Sequence, residues 1–212
     1  MLKNSLLFAM LLVSITLIVT GSASADEDQT IGINCVDDGE KECFEETAWA
    51  AEHKPGGAYR FVERGNWGTY VDYTLGSYNE SIPGRYTIYA GQSSQAGTLK
   101  VYDDTTLQDG KYYGTIYVQY AYNQSDSTYK DGYNGSWTGL TEYHLHVADS
   151  RDGIPMTRNG NPIPGQFDYS AEYNDKKSST DWIAIDINGY EDSEVYIAAH
   201  SVVWWCGFPD SA

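Results

Sequence analysis

Read for alternation of apolar and polar positions, most of this chain has a period of two, the mark of strands with one buried face. The clearest case is 141–149, TEYHLHVAD, where Tyr143, Leu145 and Val147 alternate with Glu142, His144 and His146. At 112–122, YYGTIYVQYAY, Ile116, Val118 and Tyr120 share one face, and Thr115, Tyr117 and Gln119 share the other. Further β-rich runs cover 67–75, 85–90, 97–102, 166–173, 182–187 and 194–204. Residues 44–51, FEETAWAA, contain good helix formers, but the run is short and meets Lys54-Pro55-Gly56-Gly57. It therefore reads as a strand, with Thr47 and Trp49 on one side and Glu46, Ala48 and Ala50 on the other. Turn residues such as Pro83-Gly84, Gly91 and Asp103-Asp104 separate the runs, and no stretch keeps a helical period. The pattern predicts an all-β fold, an antiparallel β-sandwich, and is equally compatible with jelly-roll and immunoglobulin-like topologies.

The first residues change the picture of where the chain works. Lys3 precedes an apolar run over 6–19, followed by small residues ending in Ala23-Ser24-Ala25. This is the layout of a signal peptide over 1–25, with a mature start at Asp26. The rest divides into a polar lead-in at 26–43, a β-sandwich domain at 44–204 and a tail at 205–212. No later stretch is apolar enough to span a bilayer, so the expectation is a secreted or cell-surface protein. The formal net charge of −17 repels phosphate backbones and argues against a nucleic-acid partner. The same charge suits Ca2+ as a counter-ion.

An exported chain tolerates disulfides. Cys35 and Cys43 flank the turn residues Asp37-Asp38-Gly39, which predicts that these two pair; the alternative is a bridge from Cys206 to one of them. Either way one of the three cysteines is left over, which points to an intermolecular disulfide as one mode of association.

Two long polar connections stand out, 122–140 and 151–165, and both are expected to be solvent-exposed. The first is rich in aromatic residues. Tyr122, Tyr129, Tyr133 and Trp137 are the ligand-binding candidates, since sugar faces stack on flat rings while neighbouring Asp and Asn bond to hydroxyls. The same rings also serve as ordinary strand residues that pair across a sheet. Asn79, Asn123 and Asn134 stand in N-x-S/T sequons. A second constellation is Glu46, Glu142, His144, His146 and His200. Alternate histidines on one strand, with a third group from a neighbour, can hold a transition metal, or can form a satisfied polar network. A third is acidic: Asp126, Asp131 and Asn134, and Asp149, Asp152 and Asn159, whose oxygens suit Ca2+ but lack the EF-hand pattern.

The order of several motifs resembles a family of exported archaeal and bacterial β-domains. They are Glu46-Thr47-Ala48-Trp49-Ala50, Tyr89-Ala90-Gly91-Gln92, Glu142-Tyr143-His144-Leu145-His146-Val147, Pro164-Gly165-Gln166-Phe167 and Tyr196-Ile197-Ala198-Ala199-His200. The likeness runs from about Glu46 to Val203. It implies a surface or secreted β-domain and carries no activity; the cysteines and Trp204-Trp205-Cys206 depart from it.

Catalytic motifs are absent: there is no G-x-S-x-G and no HExxH. The expectation is a non-catalytic structural or interaction domain whose partners are cell-surface proteins or polysaccharide. The alternatives are a carbohydrate-binding module using the loop around Trp137, and a metal-binding β-domain using His144 and His200.

Overall fold

A computed structural model describes residues 41–52, 59–63, 67–122 and 133–209, all within one compact unit spanning 39–212. The chain is all-β. Its strands are β1 (Glu42–Ala51), β2 (Val71–Thr74), β3 (Gly84–Ala90), β4 (Ser94–Asp103), β5 (Thr106–Gln108), β6 (Lys111–Tyr122), β7 (Tyr133–Ala148), β8 (Tyr169–Lys177), β9 (Ile183–Tyr190) and β10 (Glu194–Pro209). They form one antiparallel sheet in the order β5-β6-β4-β3-β1-β10-β7-β8, with β2 also on β10 and β9 also on β6. Two short 3-10 turns, Arg151–Gly153 and Pro164–Gln166, interrupt the connection between β7 and β8.

The sheet curls over a single inner core and is sandwich-like. Tyr122 on β6 and Ser201 on β10 are separated by three strands along the sheet, yet their hydroxyls meet at 2.7 Å. The segment after β8 returns to β6: the Tyr122 N–H donates to the Ser178 carbonyl at 2.7 Å, and the Thr180 N–H donates to the Tyr120 carbonyl at 3.0 Å. Period two sets what faces inward. Leu145, Val147 and Tyr143 from β7, Val195, Ile197 and Ala199 from β10, and Ala48 and Ala50 from β1 all enter the inner core. The buried Asp103 carboxylate ties β2 to β4. It accepts from the Tyr73 hydroxyl at 2.6 Å and from the N–H groups of Gly76 and Thr105, so every buried donor there is paired.

Three expectations about extent are corrected. The connection drawn over 122–140 is strand from Tyr133 onward, and the tail drawn at 205–212 is strand as far as Pro209. The cause is shared: Trp137 and Trp205 face each other in register and are both fully buried. Gly135 and Gly207 lie against the Trp205 ring so closely that neither position has room for a Cβ. Those glycines mark close packing inside a strand pair, where composition suggested a turn. The 151–165 segment is not simply exposed either, because Ile154 and Pro162 are buried and Ile154, Met156 and Phe167 pack on the outer face of the sheet.

The disulfide is also corrected. Cys43 bonds to Cys206, opposite it in the β1–β10 register with their Cα atoms 4.1 Å apart. Sheet register rather than the nearby Asp37-Asp38-Gly39 turn chooses the partner. Cys35, the odd cysteine, lies outside the described residues.

Candidate functional site

The outer face of β1, β10 and β7 is where the candidate chemistry gathers. Strand register places Trp49, His200 and His144 side by side in one row across three strands. The neighbouring row holds Thr47, Val202 and Glu142. A second, smaller apolar cluster covers part of this face: Trp49, Phe61, Ala148, Ile154, Phe167 and Ala198, with Trp67, Tyr70, Met156 and Tyr196 at its margin. The covering residues come from 59–70 and from the connection after β7, so a second layer lies on the sheet at this point.

Within the row, the His200 ring lies 4.8 Å from the Trp49 ring and 5.8 Å from the His144 ring. His144 Nε2 is hydrogen-bonded to the Glu142 carboxylate. His200 Nδ1 is buried and has no hydrogen-bond partner among the described residues. Burial pushes the His200 imidazole down to about 4, the neighbouring His144 pushes in the same direction, and Glu142 partly opposes them. His200 is therefore neutral at physiological pH.

His146 is occupied elsewhere. Its Nε2 donates to the Gly153 carbonyl at 3.2 Å, and its Nδ1 lies 3.2 Å from an Asp168 carboxylate oxygen. Gly153 stands at the start of the segment that carries Pro162 and Pro164, so His146 ties that end of the segment to the sheet.

A cavity of about 210 Å3 opens beside His200, lined by Thr47, Trp49, Trp67, Gly68, Pro162, Pro164 and His200. Two larger hollows, of about 370 and 320 Å3, share Asp149 and Asp192 and are walled mainly by acidic loop residues. Two indole walls and an imidazole distinguish the smaller one.

The predicted site residues divide accordingly. His144, His200 and Glu142 are brought together. Glu46 is not: it sits opposite Val203, an inner-core residue, and alternation puts it on the other face of β1. Among the described residues no group of three or more His, Cys, Asp or Glu side chains is placed to hold a metal ion, so Asp149 and Asp152 form no such set either. Asp126, Asp131, Asn123 and Tyr129 lie outside the described residues. The expected aromatic loop is overturned at its centre, because Trp137 and Tyr122 are core residues with no ring face to offer. Tyr133 packs against the same core, and its hydroxyl donates to Glu42 at 3.0 Å.

Sequence reading missed Trp67, Gly68, Pro162 and Pro164 as members of a site. The only local hint was the rigid Pro162-Ile163-Pro164 run; their meeting with Trp49 is a tertiary fact with no spacing to betray it. Comparison of the chain with protein-family models, curated proteins and solved structures found no match.

Proposed function

We propose that this protein is a non-catalytic recognition domain of the cell exterior that binds carbohydrate in the cavity formed by Trp49, Trp67 and His200. One observation carries the reading: two indoles and an imidazole line the same cavity. Sugar rings present apolar C–H faces that pack on indoles, and their hydroxyls pair with a neutral imidazole nitrogen that either donates or accepts. No carboxylate is among the described residues lining the cavity, and Glu142 is engaged by His144, which favours binding over glycoside hydrolysis. The Cys43–Cys206 bridge suits an oxidising compartment and supports the exterior location.

Retention on a panel of insoluble glucans, mannans, galactans and chitin tests this. The wild-type protein is expected to be retained on at least one, and Trp67→Ala to be released from it. Failure to be retained on any member would remove the reading.

A further inference from the structure

We infer that the cavity takes a single uncharged pyranose at the end of a glycan chain, an inference that rests on carbohydrate recognition at this site. Size is the first ground. A volume of about 210 Å3 falls below the roughly 300–1,000 Å3 typical of pockets for drug-sized ligands, so it holds one ring and not a run of them.

Closure is the second ground. A Cβ placed on Gly68 would lie 2.8 Å from Pro162 Cγ and 3.3 Å from Trp49. The 67–68 segment, the Pro162 ring and the Trp49 indole are thus in direct contact, and the cavity is shut on that side. A polymer chain cannot pass through, whereas a terminal residue enters with its linkage pointing outward. His146 ties the start of the segment that carries Pro162 and Pro164 to the sheet by donating to the Gly153 carbonyl.

Charge is the third ground. The ionisable neighbours that act on His200 are His144 and Glu142, the latter a carboxylate, and the whole chain carries −17. With no Lys or Arg among the described residues lining the cavity, a carboxylated or sulfated sugar meets repulsion without compensation. A neutral sugar meets no such repulsion and lays its ring on the partly exposed Trp67 indole.

Isothermal titration separates this from the broader reading. The probes are the methyl glycosides of glucose, galactose, mannose and N-acetylglucosamine, the matching linear oligosaccharides of two to four residues, and methyl glucuronide. The expected result is that one neutral methyl glycoside binds, that its oligosaccharides bind within about threefold of it, and that the glucuronide binds about tenfold more weakly or not at all. His200→Gln should weaken the neutral ligand about fivefold or more while the protein remains folded by circular dichroism. Affinity that climbs about tenfold with each added residue would show an open groove and overturn the chain-end inference while leaving carbohydrate recognition standing. A glucuronide that binds as tightly as the neutral glycoside would overturn the charge argument. Binding of none of these saccharides would defeat both readings together.

Discussion

The curled sheet has two outer faces rich in aromatic rings, and they treat those rings differently. On β4 and β6, Tyr102 and Tyr117 stack with centroids 4.6 Å apart and planes at 13°, while Trp182 meets Tyr102 edge to face at 4.8 Å. Tyr102 and Tyr117 turn one face of each ring toward the other, and the Lys100 ammonium donates to the Gln119 side chain on the same strand pair. On β1 and β10, Trp49 packs on His200, and the residues that cover this face leave a cavity to which Trp49 and Trp67 contribute walls. An abundance of tyrosine and tryptophan is therefore a poor guide to a binding surface. What matters is whether the ring faces already have partners: the β4–β6 rings are a cross-strand stabilising set, and on the covered face Trp49 is packed against Phe61, Phe167 and His200 while Trp67 stays partly exposed at the cavity.

The largest expected effect separates core aromatics from both faces. Trp137→Ala should cost about 3–5 kcal/mol in urea unfolding because its ring fills the inner core. If Trp137 instead belonged to a surface loop, the loss would be within about 0.5 kcal/mol. Next is the tether between β1 and β10, the strands that bring Trp49 to His200. Replacing Cys43 and Cys206 together by alanine should lower stability by about 2–5 kcal/mol, measured against the oxidised wild type.

A third prediction concerns His200 and pH. Its folded-state value of about 4 lies below the ordinary 6.5, so the unfolded chain binds its proton first as pH falls. The stability that His200 contributes by staying neutral is thus fully present above pH 6.5 and is lost progressively between 6.5 and 4, on the order of 3 kcal/mol in total. Asp72 acts with the opposite sign: burial and its acidic neighbours Glu52 and Glu194 raise it to about 6. The measurement is therefore a difference, with the wild-type stability curve losing more between pH 6.5 and 4 than that of His200→Gln. Parallel curves would contradict the neutral, buried imidazole.

The faces themselves are compared last. Trp67→Ala should reduce glycan affinity about tenfold, roughly 1.4 kcal/mol, with unfolding little changed. Tyr117→Ala on the other face should leave binding unaltered and cost about 0.5–1.5 kcal/mol of stability through its lost stacking partner.

Much of the fold was legible in local pattern, because period two marks a strand wherever one face is buried. The TEYHLHVAD segment shows it well: Leu145 and Val147 lie in the inner core and His144 on the outer face. β5 escaped notice because its three residues are all exposed, although the Asp109-Gly110 pair, both with positive φ, is the hairpin signature that announces it. Gly135 and Gly207 misled for the opposite reason, since their role is to make room for the Trp205 ring, which reaches Gly135 from a strand distant in sequence and lies over Gly207 on its own strand. The site was half visible. Alternation placed His144 among the polar positions of its own strand, but its pairing with His200 depends on strand register, and Trp67 and Pro162 reach His200 only through the layer folded over the sheet. The partner of Cys43 likewise depended on register with a strand at the other end of the chain.

The most direct measurement is the response of the six tryptophan indole N–H signals in a nitrogen-proton correlation spectrum, each assigned by single substitution, as a binding glycoside is added. The signals of Trp49 and Trp67 should shift together in a saturable way, while those of Trp182, Trp204 and the core pair Trp137 and Trp205 stay in place. Shifts confined to Trp182 or Trp204, with Trp49 and Trp67 unmoved, would contradict the assignment of the site to the covered face.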